Sequence, residues 1–176
     1  MTPPTPAITP QQQLDRLNNR LNELAGWRDR ARLPLEPGVF TDAQGHTSPI
    51  AVGQAWPTRA FPVSMTFRAA VPQDWAGQPV TLYADPGGEA LLRVNGQPAG
   101  GLNPYHREHL LLARAQGGEQ LEIVITASPK GLFGTPERSP ALRAARLCVP
   151  DHALRPVYED LLAFLDGAAQ LLKMGR

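Results

Sequence analysis

Two alternating runs on either side of a glycine turn limit this chain to a mainly β fold more firmly than any other feature in it. From residue 79 to 112 the sequence is PVTLYADPGGEALLRVNGQPAGGLNPYHREHLLL. Val80, Leu82 and Ala84 alternate with Thr81, Tyr83 and Asp85, and Ala90, Leu92 and Val94 alternate with Leu91, Arg93 and Asn95. A period of two sends successive side chains to opposite faces, so each run predicts a strand with one face in a core. Asn95-Gly96 predicts a two-residue hairpin, because a type I′ turn needs positive φ at both central positions. Pro86-Gly87-Gly88 breaks the earlier run. The stretch therefore reads as a meander of three short strands. A polar loop carrying Tyr105 and His106 follows, and then another apolar run.

The same period recurs along the chain. Phe61, Val63, Met65 and Phe67 alternate with polar or small residues, and so do Leu121, Ile123 and Ile125. Ala141, Ala145, Leu147 and Val149 mark a last strand that Pro150 ends. Residues 33–57 read as loop with short extended pieces, 69–79 as a turn-rich link and 129–140 as a long connection. The 19 prolines and 16 glycines fall mostly between the alternating runs, as in a chain of many short strands.

Helical patterns flank this region. Thr9-Pro10 offers an N-cap and a first-turn proline, and Leu14, Leu17, Leu21 and Leu24 then form one narrow stripe. Gly26 ends this helix, or the pattern runs on to Arg32. The stripe packs on its own domain or docks on another domain or subunit. After Asp151, a broader face holds Leu154, Val157, Tyr158, Leu161, Leu165 and Leu172. The expected layout is a disordered or extended tail over 1–10, a helix over 11–32, a β-sandwich over 33–150 and a second helix over 151–176. With no strand alternating with a helix, the expected fold is mainly β: an antiparallel β-sandwich or jelly roll of about seven or eight strands.

Composition excludes several functions. A formal net charge of +1 and dispersed Lys and Arg argue against a nucleic-acid binder. The single cysteine, Cys148, allows no internal disulfide and no thiolate cluster. The N-terminus lacks a secretory pattern, and no apolar run reaches the ~20 residues of a membrane span. The expected location is the cytoplasm. There is no phosphate-binding glycine loop, no GxGxxG after a strand and no GxSxG elbow. On a strand, His106 and His109 face opposite ways, which argues against a metal pair. A glycosidase needs paired carboxylates, and the candidates Asp74, Asp85, Glu89 and Glu108 sit in turns or at strand ends with nothing to pair them. Trp56 and Trp75 lie in turn-rich segments, where an indole plugs a sandwich end, joins an interdomain contact or stacks on a sugar ring.

Four segments carry a resemblance: GWRDRARLPL (26–35), FRAAVP (67–72), VTLYADPGGEALLRVNGQPAGGLNPYHREHLL (80–111) and PVYEDLLAFLDGAAQLL (156–172). In this order they resemble the N-terminal domain that precedes the catalytic domain in cytosolic-type α-mannosidases of glycoside hydrolase family 38. The resemblance spans about residues 12–172. It implies a galactose-binding-like jelly roll and a parent enzyme that cleaves α-mannosides with retention, using an aspartate nucleophile and a divalent metal, usually zinc. The family's His-x-Asp metal motif is not in this sequence, so no catalytic residue carries over and no cofactor is expected in this chain. Asn103 stands where the family pattern has Asp before Pro-Tyr-His. It keeps an acceptor and loses a charge. The KMGR end resembles a cut at a domain boundary.

The expected partner is the catalytic domain of the same parent chain, which this domain would brace. A homo-oligomer is also expected, through Leu14, Leu17, Leu21 and Leu24. The alternative is a carbohydrate-binding module for mannose-containing glycans. Candidate sugar or interdomain contacts are Trp56, Trp75, Glu89, Asn95, Tyr105, His106 and Arg107. The Tyr105-His106-Arg107 loop would otherwise reach toward the parent's catalytic cleft.

Overall fold

The computed structural model describes residues 8–59, 61–131 and 134–175. Most of the expected tail, residues 1–7, lies outside them. In chain order the elements are α1 (Pro10–Ala25), β1 (Asp29–Pro34), β2 (Gly38–Thr41), β3 (Thr47–Ile50), β4 (Val63–Ala70), β5 (Val80–Asp85), β6 (Glu89–Val94), β7 (Gln97–Leu102), β8 (Glu108–Leu112), β9 (Gln120–Ser128), β10 (Ala144–Pro150) and α2 (Leu154–Lys173). They form two units, a β-rich body over 31–149 and a helical unit made of the two flanks.

The β-rich body has two sheets, ordered β1-β10-β5-β8 and β3-β2-β4-β9-β6-β7. Neighbours run antiparallel throughout the six-stranded sheet and from β10 through β5 to β8. The alternation read from the sequence sets which side chains enter the core. Met65 lies opposite Ile125, which in turn lies opposite Leu92, and all three are buried. Val80, Leu82 and Ala84 with Ala145, Leu147 and Val149 supply the other layer of the same cluster. Leu91, one residue out of phase, is exposed.

The expected meander is corrected by the sheet order. β5 belongs to the four-stranded sheet and β6 to the six-stranded one, so the chain crosses between layers at Pro86-Gly87-Gly88. Within this stretch only β6 and β7 form a hairpin, and there Asn95 and Gly96 take φ of 49° and 78°, as the type I′ turn requires. β8 then returns to pair with β5. The crossing explains the glycines. A Cβ on Gly87 would strike the Ala141 backbone, and one on Gly88 would strike the Ser128 carbonyl.

Three further boundaries are set by the structure, the first of them at Gly26, one of the two helix ends that the sequence leaves open. The first helix stops at Ala25, and Asp29–Pro34 is a strand, with Ala31 and Leu33 packed against the core between exposed Arg30, Arg32 and Pro34. Residues 33–57 hold two strands, β2 and β3, each only four residues long. β4 starts at Val63, because Pro62 has no N–H to give to a ladder. The described residues contain ten strands, more than expected.

In the helical unit, Thr9 and Gln12 form a capping box at the start of α1. Leu14 and Leu21 are buried with Tyr158 and Leu165 of α2, and Leu24 packs at the edge of this cluster. The leucine stripe is thus met within the chain, except for Leu17, which is exposed. Pro10 and Leu14 line a groove with Ala168 and Leu172, while Arg28 lies over Tyr158 at 4.7 Å, so the helices run antiparallel. Asp151 opens α2. Its Oδ1 accepts from the Leu154 and Ala153 amides at 2.9 Å, and its Oδ2 accepts from Arg30 Nε at 3.1 Å. The Leu154 amide first, and then the Arg30 side chain, hold this carboxyl below the usual aspartate range.

A carboxyl lowered on folding stabilises the fold above its unfolded value, and that stabilisation is lost as pH falls through the folded value. An NMR titration should therefore show Asp151 below a free aspartate, and Asp151→Ala should lower the melting temperature at neutral pH more than in acid. An ordinary Asp151 titration would contradict this account. At the crossing, Gly88→Ala should cost more than Gly96→Ala in urea unfolding. Gly96 has open space and an unfavourable φ worth about 1 kcal/mol, whereas Gly88 has a backbone carbonyl in the way.

Candidate functional site

One end of the β-rich body collects its polar groups around the crossing. Asp85, the last residue of β5, is buried. Its Oδ1 accepts from the Gly87 amide at 3.0 Å, which shapes the turn. Arg107 Nε lies 3.0 Å from Oδ2 as an ion pair without hydrogen-bond alignment, and an Arg143 guanidinium nitrogen lies 3.7 Å from Oδ1. Arg143 also reaches Glu137 at 3.5 Å, and its own amide donates to the Asp85 carbonyl at 2.7 Å. A carboxylate buried here needs such partners, since an unpaired one would be strongly disfavoured. The Asp85 carboxylate is thus met by two arginines and not by a second carboxylate. Both arginines come from segments distant in sequence.

The same end has an open groove of about 460 Å³, lined by Glu89, Leu91, Asn103, Thr126 and Ser128 together with Pro62 and residues of β7. Asn103 also builds the next turn. Its Oδ1 accepts from the Tyr105 amide at 2.9 Å and the His106 amide at 3.0 Å, and its backbone pairs with that of His106 at 3.1 Å in both directions. An uncharged Asn can satisfy these donors as an Asx turn does. The turn leaves Tyr105 77% exposed.

The structure gathers only some of the candidate residues. Glu89 lines the groove, and Tyr105 and His106 sit on the turn that Asn103 holds beside it. Arg107 is committed to Asp85. Asn95 lies at the other end of β6, where its side chain accepts from the Glu122 amide at 2.8 Å. Trp56 and Trp75 are corrected as sugar-stacking candidates: both belong to the core, only 4% and 5% exposed, with no free ring face. Trp56 Nε1 donates to the Pro86 carbonyl at 2.7 Å, so it pins the crossing from inside. His106 is in the turn, while His109 lies opposite Leu82 in β8 with its ring against Gly100. Thr126 and Ser128 were missed because they belong to the outward phase of β9, and nothing local in the sequence tells a groove from ordinary surface.

The sequence profile of the family described as "Alpha-mannosidase, jelly roll domain" matches residues 27–153. The chain belongs to this family. The match runs over the whole β-rich body and includes the crossing and the Asn103 turn. No curated protein matches. Among solved structures, a β-glucuronidase of Faecalibacterium prausnitzii is similar at 22% identity and a TM-score of 0.44, covering 58% of this chain and 22% of its own. A GH2 β-galacturonidase of Eisenbergiella tayi bound to galacturonate is similar at 17% identity and a TM-score of 0.46, covering 66% and 23%. A GH31 α-xylosidase of Xanthomonas citri is similar at 15% identity and a TM-score of 0.31, covering 70% and 19%. The chain spans less than a quarter of the length of these proteins.

Among the described residues no group of three or more His, Cys, Asp or Glu converges as metal donors. No helix among the described residues is long and apolar enough to cross a membrane.

Replacing Asp85 tests the cluster. Breaking a buried pair costs about 3–5 kcal/mol, and the partial exposure of Arg107 and Arg143 reduces this to roughly 2 kcal/mol for Asp85→Ala. Asp85→Asn should cost less in urea unfolding, because it keeps an acceptor for the Gly87 amide. Equal losses for the two variants would assign the effect to charge alone.

Proposed function

We propose that this chain is a non-catalytic module of an α-mannosidase and braces the catalytic domain that such a parent carries. The family match over residues 27–153 carries this reading. The site geometry supports it. The buried charges at the crossing are spent on one another, and a turn held by Asn103 presents Tyr105 and His106 on a fixed frame. A divalent metal, zinc foremost, belongs in this proposal to the parent's catalytic domain, and so does the aspartate nucleophile. A cytoplasmic location is part of the same reading.

The groove favours a second reading. Glu89, Asn103, Thr126 and Ser128 offer hydroxyl-binding groups, and Tyr105 stands beside them. That is the chemistry a mannose-containing glycan would meet in a binding module.

Calorimetric titration of the chain with α-linked mannose oligosaccharides separates the two readings, alongside an assay on an aryl α-mannoside with added zinc. The bracing role predicts no saturable binding and no turnover. Saturable binding lost in Tyr105→Ala and Glu89→Gln would establish the glycan-binding role instead. Zinc-dependent turnover by this chain would overturn both.

A further inference from the structure

We propose that Asn95 is a self-modification site: its side-chain amide deamidates through the Gly96 nitrogen once the β6–β7 turn lifts off β9, and strand pairing suppresses the reaction in the closed fold. Among the asparagines of the chain, Asn95 alone precedes a glycine. Asn18, Asn19 and Asn22 lie within α1 and precede Asn, Arg and Glu. Asn103 precedes Pro104, whose nitrogen carries no hydrogen to lose. The reaction needs such a hydrogen. The deprotonated Gly96 nitrogen attacks Asn95 Cγ, a C–N bond forms, and the Cγ–Nδ2 bond breaks to release ammonia. Water then opens the five-membered imide at either carbonyl, leaving aspartate or isoaspartate. One water is consumed and one ammonia is lost, with no oxidant or reductant. Both turn residues are exposed, so water reaches them, and Gly96 has open space where a side chain would shield its nitrogen.

The closed fold restrains the reacting amide. Asn95 Oδ1 accepts from the Glu122 amide at 2.8 Å, and Nδ2 donates to the Gln120 carbonyl at 3.4 Å. The Asn95 amide itself donates to the Glu122 carbonyl at 2.8 Å. The side chain thus extends the β6–β9 ladder by one more pair, and both of its polar atoms are tied to the β9 backbone. Cγ swings to the Gly96 nitrogen only when these bonds break. The products do not fit back. An aspartate at position 95 has no donor for the Gln120 carbonyl. It also sets a second carboxylate opposite Glu122, whose own carboxylate pairs with Arg68 at 2.7 Å. Isoaspartate carries an extra main-chain atom, so the two-residue turn cannot be rebuilt on it. A transient opening is thereby converted into a lasting change at β7, an edge strand of the six-stranded sheet.

Tryptic mass mapping of the full chain tests this, because cleavage after Arg93 and Arg107 isolates residues 94–107. The chain is held at mildly alkaline pH, folded in one arm and in guanidinium chloride in the other. The expected result is conversion of Asn95 to a mixture of aspartate and isoaspartate, at least about tenfold slower in the folded chain because each event there requires an opening. In denaturant, Gly96→Ala should slow the conversion, since a Cβ then crowds the attacking nitrogen. After refolding, the isolated isoaspartate form should melt below the parent, and Asn95→Asp should melt between the two. An unfolded chain that keeps Asn95 intact would overturn the site, and equal rates in the two arms would overturn the role of strand pairing. An isoaspartate form that melts with the parent would overturn the loss of the turn.

Discussion

Asp85 sits where the chain leaves one sheet for the other, and the sandwich depends on how that carboxylate is satisfied. The crossing has to be short to keep β5 and β6 in facing layers, and this brings its backbone against the Ala141 and Ser128 segments with no room for a Cβ. A chain so confined leaves polar backbone groups in a dry place. Asp85 accepts from one of them, and its charge is in turn met by Arg107 and Arg143, which tether the loops before β8 and β10. Trp56 closes the underside through the Pro86 carbonyl.

This arrangement supports the proposed scaffold role. Groups that neutralise each other in a tight turn are poor candidates for chemistry on a substrate, because moving them would unpair a buried charge. The exposed and ordered features lie beside the cluster, in the Asn103 turn and the groove. Both are surfaces for contact.

The sequence was readable where one period dominated. The core faces of β4, β6 and β9 follow their alternation residue by residue, whereas β5 buries Thr81 and Asp85 of its other phase too, and the Asn95-Gly96 hairpin came from turn chemistry alone. β1 was misread because Arg28 to Leu33 carries two patterns at once. A helix that begins with a leucine stripe invites continuation, yet Ala31 and Leu33 between arginines are already a strand, and only the neighbouring β10 decides between them. β2 and β3 are too short to show a period. The switch of sheets at Gly87-Gly88 was hidden for a different reason: a glycine turn between strands looks the same whether it reverses a hairpin or bridges two layers. The partners of Asp85 could not be found locally, since its charge is balanced by residues that only the folded topology brings near.

Native-state hydrogen exchange at the crossing tests this account most directly. The amides of Ala84, Gly87, Glu89 and Arg143 donate to the Arg107 carbonyl, the Asp85 carboxylate, the Lys130 carbonyl and the Asp85 carbonyl. If the crossing holds the two sheets together, these four amides exchange only through global unfolding, with the same denaturant dependence as the central amides of β4 and β9. Exchange by a shallow local opening, while β4 and β9 stay protected, would show that the sandwich stands without its crossing and would contradict the account.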